Sequence, residues 1–309
     1  MRRRSRDVTR HGTSRPLNHI WFLSLRHDIL GSNPAQRGWA SELPCWATRA
    51  VSYFDQAPFD VRCEWGLPGI EQIANSDVII LVDVLSFTTS VDIAVCRGAT
   101  IYPYRWKDET AITYALDRGA EVASSRSRFA GRFSLAPSSL LEVPSGLRLV
   151  LPSPNGSSLA FQAMSTGAIV VAGCLRNAST VAKWAQSVGR RITVVPAGEQ
   201  WPDGSLRPAI EDLLGAGAIL TELSGHRSPE ANLAAVAFEQ VADHLLEQLL
   251  ASASGRELVE RGFERDVELS AELNTSRLVP VLKGEAFVGL SSDEQLPSTD
   301  SASDGQNPS

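Results

Sequence analysis

The chain has 309 residues, of which 43% are hydrophobic and 21% charged, enough to bury one large core or two small ones. Its longest apolar runs, such as "VIILV" at 78–82, fall far short of the roughly 20 residues that a bilayer crossing needs, so no membrane span is expected. The net charge of −6 is unevenly spread: residues 1–50 hold nine Arg against three acidic residues, and the remainder holds 20 Lys or Arg against 32 Asp or Glu.

The arginine-rich start has no uninterrupted apolar stretch, because Arg26 and Asp28 break the one candidate, so it does not read as a signal peptide. It reads as an unstructured extension, or as sequence upstream of a translation start near Val51, in preference to a nucleic-acid-binding arm. The four cysteines (Cys45, Cys63, Cys96, Cys174) form no CxxC pair and have no histidine at ligand spacing. They are expected to be reduced thiols of a cytoplasmic protein, not zinc ligands. The far end, "SSDEQLPSTDSASDGQNPS", is polar and acidic and cannot bury enough apolar surface to order itself. The expected organisation is an extension over 1–50, one folded domain over 51–288, and a disordered acidic tail over 289–309.

Within the domain, "DVIILVDV" (77–84) is a continuous apolar run of strand length, and Phe87, Val91, Ile93, Ala94 and Val95 then follow helical spacing until Gly98. "ATIYPYR" reads as a strand, "KDETAITYALDRGA" as a helix closed by Gly119, "EVAS" as a short strand, and 124–147 as a long loop. The alternation resumes with strand "RLVLPS", helix 157–166, strand "AIVVAG", helix 178–188 and strand "RITVVPAG", after which 208–223, 229–253 and 255–273 look helical. Strands apolar on both faces that alternate with helices predict a mainly parallel sheet covered on both sides. "VCRGATIYP", "LDRGAEVAS" and "MSTGAIVVA" share a Gly-Ala helix exit into a strand, which is the grammar of a glycine C-cap as much as of a duplication.

Asp83 ends the first strand at the carboxyl edge, where α/β sheets bind ligands. A lone buried carboxylate costs several kcal/mol or more, so a cation, an arginine or a set of N–H donors must satisfy it. Thr88, Thr89 and Ser90 fall where the next helix begins and suit an anion at a positive helix end. The alternative is that Ser86 or Thr88 caps the helix and Asp83 bonds nearby amides. Three further loops expected at this edge carry similar chemistry: "SPNGSS" with the Asn155-Gly156 turn, "GCLRNAS" with Arg176 and Asn177, and "PAGEQWPDGSLRPAIEDLLGAGA" with Glu199, Asp203, Arg207, Glu211 and Asp212. Together they point to a metal-and-anion site. No GxGxxG follows a strand, and there is no GxxxxGK[ST], no second Asp two positions after Asp83 and no Gly-x-Ser-x-Gly. A histidine mechanism is not expected, since at most His226 and His244 fall in the core region.

In order and spacing these stretches resemble the magnesium-dependent 2-phosphosulfolactate phosphatases. "VDVLSFTTS" is similar to that family's Asp-Val-Leu-Arg-Ala-Thr-Thr-Thr, "FSLAPSSL" to its loop ending in Ser-Pro, "LPSPNGSS" to Thr-Thr-Asn-Gly-Thr, "GCLRNASTVA" to its Asn-Ala-Ser-Ala-Val-Ala segment, and "PAGE…SLRPAIEDLLGAGAI" to its Ala-Gly and Glu-Asp…Ala-Gly-Ala-Ile segment. The resemblance implies a three-layer α/β/α ComB-like fold and Mg2+-dependent hydrolysis of a phosphomonoester of a small anionic hydroxy acid, with (2R)-phosphosulfolactate as the expected substrate. It departs at Ser86, where the family commonly has Arg, and at "VASSRS", where Arg126 lacks its preceding Glu.

On this resemblance Asp83 is expected in metal binding or nucleophilic attack, with Glu199, Glu211 or Asp212 completing the metal site. Ser86, Thr88, Thr89, Arg126, Asn155, Gly156 and Asn177 are expected to hold substrate, and Arg176 or Arg207 to balance developing charge. The expected partners are a small anionic phosphorylated substrate and, at most, a second copy in a homodimer; no nucleic acid and no membrane are expected. The competing reading is a non-catalytic α/β protein that binds an anionic metabolite.

Overall fold

In the computed structural model, the described residues are 53–73, 75–106, 108–124 and 132–294. The strands are β1 (Val61–Cys63), β2 (Val78–Val82), β3 (Thr100–Tyr104), β4 (Glu121–Val122), β5 (Arg148–Pro152), β6 (Ile169–Gly173), β7 (Ile192–Pro196), β8 (Glu199–Gln200), β9 (Leu206–Arg207), β10 (Leu278–Lys283) and β11 (Ala286–Ser291). The α-helices are α1 (Gly66–Gln72), α2 (Phe87–Cys96), α3 (Thr110–Leu116), α4 (Gly156–Met164), α5 (Ala178–Val188), α6 (Ile210–Glu222), α7 (Pro229–Glu239), α8 (Leu245–Ala251), α9 (Ala253–Glu260) and α10 (Glu264–Ala271).

Nine strands form one mainly parallel sheet in the order β1-β7-β2-β6-β10-β11-β3-β5-β4, with helices on both faces. This is the three-layer α/β/α arrangement that the sequence implies. Strand β2 shows why: successive side chains point to opposite faces, and every one of its five residues is buried. Ile80 and Val82 join Trp184 and Leu220 in one core, while Ile79 and Leu81 join Phe87 and Leu159 in the other. Burying each such side chain contributes about 1.5–3 kcal/mol, which is why a strand apolar on both sides can settle only between two helical layers.

Within the sheet β1, β7, β2 and β6 are mutually parallel, and so are β3, β5 and β4. The antiparallel hairpin β10–β11 separates these two groups and pairs antiparallel with β6 on one side and β3 on the other. The groups therefore run in opposite directions along the ladder. Each seam is registered at one residue pair, Val281↔Val171 and Phe287↔Ile101.

Three departures from the predicted elements have local causes. The helix predicted over 255–273 is two helices, because Gly262 takes φ +79° between them. The helix predicted over 229–253 breaks between α7 and α8 at a short 3₁₀ turn, Ala242–His244, which no glycine or proline marks. The β10–β11 hairpin stands beyond the predicted helices and runs to Ser291, with Gly284 at φ +58° in its two-residue turn. The 1–50 extension and most of the acidic tail lie outside the described residues.

Candidate active site

Asp83 stands just past β2 and is 8% exposed. Its Oδ1 accepts a hydrogen bond from the Phe87 N–H (3.1 Å), the first residue of α2, so the carboxylate caps the helix while lining the cleft. Thr88 closes the same turn: its Oγ1 accepts from the Asp83 N–H (3.0 Å) and donates to the Asp83 carbonyl (2.8 Å). Thr89 donates to the Val84 carbonyl and Ser90 to the Leu135 carbonyl, each at 2.8 Å. Thr88 and Thr89 are fully buried, so their hydroxyls shape the turn and are not presented to the cleft. Ser86 does line it, next to a cis Leu85–Ser86 peptide bond.

The loops after β2, β5 and β7 meet. Parallel pairing brings the β2, β6 and β7 carboxyl ends together, with Val82 opposite both Gly173 and Pro196. The ladder alone would put the loop after β5 on the far edge, because its group runs the other way. Side-chain contacts nevertheless place it beside Asp83: Asn155 Nδ2 donates to Glu199 Oε2 (2.9 Å), and a Cβ built on Gly156 would lie 2.8 Å from Asp83 Oδ2. Asp83, Ser86, Ser153, Asn155, Glu199 and Gln200 line a cleft of about 250 Å3.

Four carboxylates act on one another here. Burial pushes the Glu199 carboxyl up to about 7, the Asp83 charge adds to this, and the Asn155 hydrogen bond opposes it. Burial first, then the Asp83 and Glu211 charges, hold Asp212 well above the usual range. Adjacent on α6, Glu211 and Asp212 point to different tasks. Asp212 spends its oxygens on the Val84 N–H (2.7 Å) and the Gly198 N–H (2.9 Å), tying the β2 loop to the β7 loop. Glu211 is 2% exposed, and its Oε2 has no hydrogen-bond partner among the described residues. An orphaned buried acceptor among carboxylates is what a hard cation would satisfy. The oxygen-rich donor set of Asp83, Glu199 and Glu211 thus fits Mg2+ in its chemistry, although among the described residues no group of three His, Cys, Asp or Glu side chains stands at ligating positions.

The remaining candidates divide. Arg207 lies opposite Glu199 in the β8–β9 pair and its charge lowers the Glu199 pKa, so it belongs to the cleft's surroundings. Its guanidinium also donates to Ser254 Oγ (3.1 Å). Arg176 pairs instead with the buried Asp92 (3.2 Å) and with Glu272, and donates to the Leu269 carbonyl. Asn177 is fully buried, accepting from the Cys174 N–H and donating to Asp92 and the Ala172 carbonyl. The structure does not bring Arg176 or Asn177 to the Asp83 cleft; both anchor α2 to the end of β6. Arg126 lies outside the described residues. Sequence reading missed Ser153 and Gln200, which the cleft uses although neither carries a charge that would mark it.

The Glu199 shift has a measurable consequence. With the folded-state pKa raised from 4.5 to about 7, its contribution to stability is complete below the ordinary carboxyl range and is lost as pH rises through 7. Glu199→Gln retains an acceptor for Asn155 and removes the titration. In metal-free buffer the variant should gain about 2–3 kcal/mol on the wild type at pH 8 and little at pH 4.5. Denaturant midpoints at the two pH values check this; the same difference at both would show that Glu199 does not titrate in the folded cleft.

A doubly covered α/β sheet whose converging loops hold carboxylates and the Asn155-Gly156 pair defines a three-layer α/β/α protein with an acidic cleft where those loops meet. Its relationships are more specific: the family model for 2-phosphosulpholactate phosphatase matches residues 68–285, and the chain belongs to that family. It is 31% identical over 219 residues to the 2-phosphosulfolactate phosphatase of Methanothermobacter thermautotrophicus, covering 69% of this chain and 90% of that protein. It is 30% identical over 217 residues to the "Probable 2-phosphosulfolactate phosphatase" of Carboxydothermus hydrogenoformans (68% and 89%), and 28% over 231 residues to that of Thermus thermophilus (72% and 95%). No helix among the described residues is long and apolar enough to cross a membrane.

Proposed function

We propose that the chain is a Mg2+-dependent phosphoric monoester hydrolase that converts (2R)-phosphosulfolactate and water to sulfolactate and phosphate. The observation that supports the metal requirement is the orphaned, buried Glu211 Oε2, whose charge acts on Glu199 and Asp212; the family carries the reaction class. In the reaction the bond from phosphorus to the substrate oxygen breaks, a bond from phosphorus to a water oxygen forms, and one proton passes from that water to the leaving oxygen. Asp83, Glu199 and Glu211 would hold the ion, and bound there it supplies Lewis-acid neutralisation of the phosphoryl oxygens. Ser86, Ser153 and Asn155 offer hydroxyl and amide groups to the phosphoryl group in the cleft. Asn155 fixes the Glu199 carboxylate, and Arg207 across the hairpin offsets part of the negative charge.

Phosphate release from 2-phosphosulfolactate, with Mg2+ and after chelation, tests the reading. Release that chelation abolishes is expected. Release indifferent to chelation would remove the metal, and ligand-induced thermal stabilisation without release would favour a binding protein over an enzyme. Because Glu199 must lose its proton to ligate, Mg2+ affinity should fall about tenfold per pH unit below 7. Calorimetric titration between pH 5.5 and 8 reads this directly, and a flat profile would exclude Glu199 from the ion's ligands.

A further inference from the structure

A second cleft of about 260 Å3 lies beside the first and shares Pro154, Asn155, Glu199 and Gln200 with it. The Asn155–Glu199 hydrogen bond is therefore the partition between the two. Beyond the partition the walls change character: Leu67 and Pro68 come from α1, Leu159 from α4 and Leu206 from β9. Among the described residues lining this cleft there is no Lys, Arg or His, and the charged group present is Glu199 on the shared wall. An anionic substituent placed there would find no Lys, Arg or His side chain in that lining to pair with. An apolar substituent would instead cover Leu67, which is 38% exposed at the mouth.

The apolar wall depends on two glycines. Gly66 and Gly198 both take positive φ, and a Cβ on either would crowd Leu206 Cδ1, at 3.2 and 2.7 Å respectively. A side chain at either position would push the end of Leu206 aside.

We propose that this second cleft is a subsite for an apolar substituent of the phosphorylated acid, so that the chain hydrolyses phosphate esters of 2-hydroxy acids bearing an aliphatic or aromatic side chain. The inference rests on the hydrolase reading above and adds a substrate class to it. The phosphoryl group takes the cleft lined by Asp83 and Ser86, and the side chain of the acid reaches across the Asn155–Glu199 partition towards Leu67 and Leu206.

The test compares 2-phospholactate with 2-phospho-3-phenyllactate on the full chain with Mg2+, measuring kcat/KM by phosphate release and Kd by calorimetry. The phenyl ester should exceed the methyl compound at least tenfold in both. Leu67→Trp fills the mouth from a half-exposed position, and Ser158→Tyr fills it from α4; each should lower the phenyl-to-methyl ratio at least tenfold. A ratio at or below one in the wild type, or a ratio that neither variant moves, would overturn the subsite. If neither of these esters nor 2-phosphosulfolactate is hydrolysed, the hydrolase reading fails. The calorimetric ratio and its response to the two variants then decide the subsite alone.

Discussion

Asp83→Asn should cut Mg2+-dependent phosphate release to less than a tenth of the wild-type rate while leaving the fold intact. The two outcomes separate because the residue does two things with different atoms. Its Oδ1 receives the Phe87 N–H, and an asparagine Oδ1 can do the same, so the turn into α2 survives. The negative charge is what the proposed cation needs, and that is lost. A tenfold fall is only ~1.4 kcal/mol of transition-state stabilisation, small for a ligand that neutralises a divalent ion in a buried site. Circular dichroism and thermal melting establish the fold, and a rate above one tenth in a folded variant would show that Asp83 is a helix cap and nothing more.

Gly156→Ala should lower both stability and activity, by about 1–3 kcal/mol and at least tenfold respectively. The backbone at Gly156 does not lie among the positive-φ residues, so conformational freedom is not the issue. The issue is space: the added methyl would lie 2.8 Å from Asp83 Oδ2 and closer still to the Phe87 ring. Phe87 is fully buried in the core that also holds Leu81 and Leu159, so the ring cannot swing away cheaply. The first turn of α4 must move out, and Asn155 moves with it, loosening its hold on Glu199. Chemical denaturation together with kcat/KM checks both effects. A stable, fully active variant would mean that the β5 loop does not approach Asp83 this closely.

Much of the fold is legible in the chain because the signals are local. The apolar runs of β2, β5, β6 and β7 and the period of α5 carry their own evidence, and strands apolar on both faces can lie only between two layers. That Asn155, Gly156 and Glu199 stand at or beside one cleft is legible for a similar reason: each follows such a strand. The assignments that did not carry over depend on which partner each side chain takes, near or remote in sequence. Arg176 has the appearance of a free cation until Asp92, 84 residues earlier, is placed against it. Thr88 and Thr89 have the composition of an anion cradle, but a hydroxyl near a helix start serves its own backbone as readily as a ligand. Glu211 and Asp212 are neighbours in an acidic pair, yet successive residues on a helix point about 100° apart, and only the fold tells which one ties loops and which has an oxygen to spare. The second cleft was not readable because α1, which supplies Leu67 and Pro68, is a seven-residue helix with no strong period of its own.

The β10–β11 hairpin has a consequence for the order in which the cleft can be completed. Asp83 and Glu199 extend from one parallel group of strands and Asn155 from the other, and within the sheet the hairpin alone joins the two. On the ribosome the cleft-forming loops have all been made once synthesis passes Asp212, but the strands that knit their supports into one sheet, Leu278–Lys283 and Ala286–Ser291, are made 66 to 79 residues later. A nascent chain halted near Asn274 would carry every residue of the cleft with its two supports still unseamed, so the proposed catalytic groups are brought into one sheet by the last of the described elements to be synthesised.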